Sequence, residues 1–223
     1  MRSQCVPTGA FGAPAILMLN APLPASPSFK AQMLRAREDA IAQTVCRLLS
    51  DKGFDAMTVD EVAAAVGMAK ASLYKLFASK EDLAAAAMVG VLQRAAAFLA
   101  TQPAGLGGLE RLQAMLRWAI ELQLAGEMPP LPGPNSCLRA ALAAHPGYRD
   151  ALDGVSRPLA DCIAQAQAGG DLPVAWPAQA VLYTLYARAC DPLPGLLKES
   201  GRYGDAEIVD LALAACFDGL RAR

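Results

Sequence analysis

The chain has 223 residues, 54% hydrophobic and 18% charged, with a formal net charge of −1. That composition supports a packed core and excludes global disorder. The near-neutral charge excludes a protein basic over its whole surface and leaves room only for a local basic patch. Alanine is abundant while β-branched and aromatic residues are sparse, which predicts an all-α fold.

Residues 1–30 read as a Pro-rich, disordered arm. The stretch "AFGAPAILMLNAPLPA" resembles the apolar centre of a signal peptide, but Pro14 breaks it and only Arg2 precedes it. Met18 and Met33 are alternative starts. No uninterrupted apolar run approaches the roughly 20 residues of a membrane span, so no membrane partner is expected and the chain is placed in the cytoplasm.

From Leu34 the apolar pattern turns helical through Ile41, Val45, Leu48 and Leu49. Gly53 follows at the place of a left-handed cap, and Phe54 re-enters the core. Thr58 opens a second helix with Glu61 three residues on, which predicts a capping box. Val59, Val62, Ala63 and Val66 form its inner face, and Gly67 ends it. A third helix is expected over about 70–77, with Leu73, Leu76 and Phe77 inward. Ser79 caps a fourth that reaches about Ala100, with Asp82 in its first turn. A fifth is expected over about 109–125 after the breaker "TQPAGLGG". The Pro-rich loop "GEMPPLPGPNS" follows, and then helices near 136–145, 147–168, 176–190 and 206–221. Pro158 should kink or break the 147–168 segment. About nine helices and no strand are expected.

Six cysteines stand at positions 5, 46, 137, 162, 190 and 216, none spaced as a metal or redox pair. They read as small buried hydrophobes. The single histidine, His145, precedes Pro146 and reads as a capping or surface residue. No metal or cofactor is expected. No nucleophile–base pair or phosphate loop suggests an enzyme.

The functional signal lies in "TVDEVAAAVGMAKASLYKLFASKEDL", residues 58–83. Two short helices joined by a tight Gly-containing turn form a helix-turn-helix, whose second helix enters the major groove of DNA. Opposite the Leu73/Phe77 face lie Ala71 and Lys75, flanked by Ser72 and Tyr74. The small residues let the backbone approach base edges, and Lys75 can donate to a guanine edge or a phosphate. Thr58 and Lys80, at helix starts, suit phosphate clamps. Lys70 is a further candidate DNA contact, while Arg35 and Arg37 can touch phosphate or reach the minor groove.

The run "GFDAMTVDEVAAAVGMAKASLYKLFASKEDL" resembles the DNA-binding domain of the tetracycline-repressor (TetR) family over about 50 residues. Gly53-Phe54, Thr58, Val62-Ala63, Val66-Gly67-Met68, Ala71-Ser72, Leu73-Tyr74, Phe77 and Ser79-Lys80-Glu81-Asp82-Leu83 carry the likeness. Ala69 departs from it, standing where a Ser or Thr often caps the recognition helix. The resemblance implies a helix-turn-helix domain over 31–83 and an effector-binding and dimerisation domain over 84–223. It implies a homodimer on a double-stranded operator, released by a small effector. Met115, Trp118, Leu122, Tyr183 and Tyr186 are then candidate pocket residues, and their chemistry points to an apolar or aromatic effector. Ile208, Leu211, Ala212 and Ala215 are the candidate dimer seam. The alternative is a helical interaction or small-molecule-binding protein of the same fold that does not regulate transcription.

Overall fold

The computed structural model describes residues 28–133 and 136–220, so residues 1–27 of the expected arm, Cys5 included, lie outside the described residues. Among the described residues there are ten helices and no strand: α1 (Phe29–Ala56), α2 (Val59–Ala65), α3 (Lys70–Leu73), α4 (Lys80–Thr101), α5 (Gly108–Leu124), α6 (Cys137–Ala144), α7 (Pro146–Ala168), α8 (Ala178–Ala189), α9 (Leu193–Glu199) and α10 (Asp205–Leu220). Helix α9 is the one absent from the expected nine. Pro192 and Pro194 disguise it as a loop, yet proline suits a first helical turn, where the missing N–H has no partner to lose.

Three local expectations shift. Helix α1 begins at Phe29, so the arm ends before residue 30, and Leu34 is exposed because the first turns of α1 lie beyond the core. The buried stripe begins at Ile41 and continues through Val45, Cys46 and Leu49. Gly53 interrupts α1 at φ 77°, ψ 173°, a positive φ that glycine adopts without steric cost. Helix α7 runs through Pro158 as one helix, so of the expected kink or break the break is absent. A proline removes one helical hydrogen bond, and the burial of Val155, Leu159, Cys162, Ile163 and Ala166 around it holds the helix.

The apolar residues form two clusters. One joins α1, α2, α3, the first half of α4 (Leu83 to Val91) and, from farther along the chain, Leu138 and Leu142 of α6. The other joins the second half of α4 (Ala95, Leu99) with α5, α7, α8 and α10. The expected boundary at 83/84 thus falls inside a helix that serves both clusters. Helix α4 is long and apolar enough to cross a membrane by length and composition alone, although Gln93 and Arg94 interrupt its apolar run. Here its apolar surface packs against α1 and α7.

Gly108 permits the closest approach in the second cluster. A Cβ there would stand 2.3 Å from the Cys162 carbonyl oxygen and 2.7 Å from the Ala166 nitrogen, so α5 rests directly on the backbone of α7. The cysteines largely follow the buried reading. Cys46, Cys162 and Cys216 are buried, Cys190 is half-buried and Cys137 is exposed. Burial pushes the Cys46 and Cys190 thiols up to about 11, which keeps them protonated and unreactive. His145 is a cap: its Nδ1 accepts from the Tyr148 N–H at 3.1 Å.

Candidate DNA-binding face and the cavity behind it

The α2–turn–α3 unit is built by short-range chemistry. The Thr58 hydroxyl accepts from the Glu61 N–H at 3.3 Å, and Glu61 Oε2 accepts from the Thr58 N–H at 2.9 Å, completing the capping box. At the other end of α2, Gly67 has φ 65°. Its N–H reaches the Ala64 carbonyl at 3.2 Å, and the Met68 N–H reaches Ala63 at 2.9 Å. That left-handed closure turns the chain into α3. Ala69 supplies no side-chain cap to α3. Helix α3 is shorter than expected, because the regular helix ends at Leu73. The backbone then continues in turns, with Leu76 N–H to Leu73 O at 2.9 Å and Phe77 N–H to the same oxygen at 2.8 Å. Leu73 is fully buried and anchors the unit, while Leu76 and Phe77 pack against the cluster half-buried.

The expected contact residues divide by what they already hold. Ala71, Tyr74 and Lys75 are exposed, Ser72 is half-buried, and Lys75 has no ion-pair partner among the described residues. Arg35 and Arg37 are exposed on α1 and equally without ion pairs. Lys70 is paired to Asp60 at 2.8 Å, and its pKa is raised chiefly by that hydrogen bond. Lys80 folds back: its Nζ lies 4.4 Å from the Phe54 ring centroid and donates to the Asp55 carbonyl at 3.3 Å. The Thr58 hydroxyl spends its proton on Glu61 Oε2 at 2.8 Å, so it has none for a phosphate while the cap is closed. Glu61 also pairs with Lys52. That bond first, and those to Thr58 second, hold its carboxyl down at about 2.

Behind this unit lies a cavity of about 830 Å³, walled mainly by apolar side chains of α4, α5, α7 and α8. Of the five candidate pocket residues, Met115, Trp118, Tyr183 and Tyr186 line it, and Leu122 does not. Trp118 stacks on Phe98 with ring centroids 5.4 Å apart. The sequence reading missed Met88, Met128, Tyr148 and Ser156 as lining residues. Nothing local marks them, since the cavity arises where distant segments meet.

One wall is shared with the N-terminal unit. Met88, Met128 and Tyr148 line the cavity and also belong to, or pack against, the cluster that joins α1, α2 and α3 with the first half of α4 and α6. The loop carrying Met128 is fastened twice. Ser50 Oγ of α1 donates to the Met128 carbonyl at 3.0 Å, and Arg94 of α4 pairs with Glu127 at 2.6 Å.

The expected dimer seam divides. Ile208 is 0% and Ala212 7% exposed within the single chain, packed in its own core, and so neither faces a partner. Ile208 fills the subunit interior because α10 also packs on α5. Leu211, 43% exposed, and the exposed Ala215 lie on the outer side of α10.

Residues 41–87 match the sequence pattern of a family described as bacterial regulatory proteins, tetR family. No curated protein matches the chain. Solved structures share its fold. A TetR-family transcription regulator from Marinobacter aquaeolei VT8 is 18% identical, with a TM-score of 0.62 over 86% of this chain and 99% of that one. The fatty acid degradation regulator FadR from Bacillus halodurans is also 18% identical, with a TM-score of 0.63 over 84% and 97%. The ketosteroid transcriptional regulator KstR2 of Mycobacterium tuberculosis reaches 0.54 at 18% identity over 84% and 96%.

Proposed function

We propose that this chain, a tetR-family protein by its N-terminal domain, is a ligand-responsive transcriptional repressor. It acts as a cytoplasmic homodimer on a palindromic operator and is released by a small apolar or aromatic effector. The exposed Ala71, Tyr74 and Lys75 supply the groove-facing surface, with Arg35 and Arg37 toward the phosphates. Lys70 and Lys80 join by exchanging Asp60 and the Asp55 carbonyl for phosphate oxygens, an exchange of one surface partner for another. Two copies of α3 must stand about 34–36 Å apart to meet successive major-groove turns.

The observation that carries the ligand-responsive part is the shared wall. A molecule entering the cavity presses on Met88, Met128 and Tyr148, side chains that belong to or pack against the apolar cluster in which the DNA-facing unit is seated. Its effect on DNA equals its difference in affinity for the two arrangements of that unit, typically about 1–3 kcal/mol.

The test is a mobility shift on a selected operator with a panel of apolar, aromatic and charged compounds, repeated with Ser50→Ala. The variant removes one hydrogen bond between cavity wall and α1, about 1 kcal/mol. It should keep its DNA affinity in the absence of compound and lose several-fold in the release a compound produces. Release by charged compounds alone contradicts the effector class. Operator binding that no cavity ligand alters leaves a DNA-binding protein that is not ligand-responsive. Absence of DNA binding leaves the alternative, a ligand-binding protein of this fold.

A further inference from the structure

The polar atoms of the cavity are few, and their protons can be assigned. Ser156 Oγ lies 2.7 Å from the Leu152 carbonyl and 2.7 Å from the Tyr186 hydroxyl. A carbonyl cannot donate, so the single serine proton goes to Leu152, and Tyr186 must donate to Ser156. The Tyr186 proton is thereby used, and its oxygen offers the cavity lone pairs only. Tyr148, on the same wall, has no hydrogen-bond partner for its hydroxyl among the described residues, so its proton remains available. Tyr148 and Tyr186 lie within electrostatic reach of each other, and burial raises the pKa of both, so both remain neutral phenols.

Three polar groups of a ligand can be set against this pair. A carbonyl or ether accepts from Tyr148 and leaves Tyr186 facing another acceptor. A carboxylate does the same with a full charge, beside Asp153, whose negative field already reaches Tyr186. A hydroxyl both accepts and donates. The one cation among the described lining residues, Arg139 of α6, is itself exposed to solvent.

Building on the reading of this cavity as the effector site, we infer that its ligand is an apolar molecule carrying one neutral hydroxyl. That hydroxyl accepts from Tyr148 and donates to Tyr186, while the body lies on Met88, Leu116, Trp118 and Leu159. The cavity's volume, about 830 Å³, suits a ligand of drug-like size.

A matched series decides the matter: 4-cyclohexylphenol, its methyl ether 4-cyclohexylanisole, and 4-cyclohexylbenzoate. Each is titrated into the full chain by calorimetry and by Trp118 fluorescence, with Trp118→Phe as the spectroscopic control. The phenol should bind about tenfold more tightly than the ether or the benzoate, the discrimination one buried neutral hydrogen bond gives. In a Ser156→Ala/Tyr186→Phe double variant that keeps its helical circular dichroism, the preference for phenol over ether should fall below about threefold. Binding of the ether itself should stay within that factor. An ether or benzoate that binds the native chain as tightly as the phenol overturns the inference and leaves the cavity as the effector site. A benzoate that binds best identifies Arg139 as the anchor and overturns it too. Failure of all three to bind removes the cavity reading together with the inference.

Discussion

The α2–turn–α3 unit and the α5–α10 region differ in the range of the interactions that define them. In the first, the defining contacts span three to five residues: Thr58 with Glu61, Gly67 with Ala64, Met68 with Ala63, Ser79 with Asp82. In the second they join positions far apart: Gly108 on Cys162 and Ala166, Gln123 on the Asp191 carbonyl, Arg117 on Asp210. A unit fixed by local chemistry keeps its shape while its outer side chains are free to vary. A region fixed by long-range packing can enclose a cavity whose lining no short motif announces.

The sharpest way to break the comparison is at Gly108. Gly108→Ala places a methyl group 2.3 Å from the Cys162 carbonyl, backbone that cannot swing away, and must push α5 off α7. Loss of about 2–4 kcal/mol of unfolding free energy is expected. Gly90→Ala, with nothing within 4 Å, should be neutral or gain up to about 1 kcal/mol of helix propensity. Denaturant unfolding of both variants checks the pair.

A second contrast lies along α10. Ala212→Glu buries a charge inside the subunit and should cost several kcal/mol, enough to unfold it. Leu211→Glu with Ala215→Glu alters only the outer side and should separate a dimer into folded monomers. Light scattering and circular dichroism on both distinguish the two faces. An intact dimer of native stability with both outer glutamates would place the seam elsewhere.

The smallest effect belongs to the local unit. The folded-state pKa of Glu61 lies below its ordinary 4.5, at about 2, so its stabilising contribution is full above pH 4.5 and fades as pH falls toward 2. Glu61→Gln should therefore melt slightly below the native chain at pH 7, and the difference should shrink through that window. A difference that stays the same at pH 2 and pH 7 would contradict a contribution from the ionised Glu61 carboxylate.

Legibility followed the same divide. The cap at Thr58, the turn at Gly67, the missing cap at Ala69 and the start of α4 at Ser79 were readable, because each is a few-residue pattern with its own hydrogen bonds. Of the four residues expected at a seam, Ile208 and Ala212 lie inside the subunit and Leu211 and Ala215 outside it; α10 shows apolar residues on more than one side, and only packing against α5 distinguishes the two pairs. Trp118 and Tyr186 stand out in the sequence as large aromatic side chains on expected helices. Tyr148 and Ser156 escaped because their meaning depends on partners dozens of residues away. Thr58 misled in the other direction: the capping box that made it recognisable also occupies the proton a phosphate would need.

The central claim, that the Tyr74–Lys75 surface reads DNA, is tested most directly by selecting bound sequences from random duplexes and measuring affinity at several salt concentrations. The native chain should enrich an inverted repeat with half-sites about one helical turn apart. Lys75→Ala should relax preference at one position of each half-site. Lys80→Ala should weaken all sequences alike and lower the salt slope by about one phosphate contact per subunit. Binding curves of a Lys75→Ala/Lys80→Ala double variant that match the native chain at every salt concentration would contradict the claim.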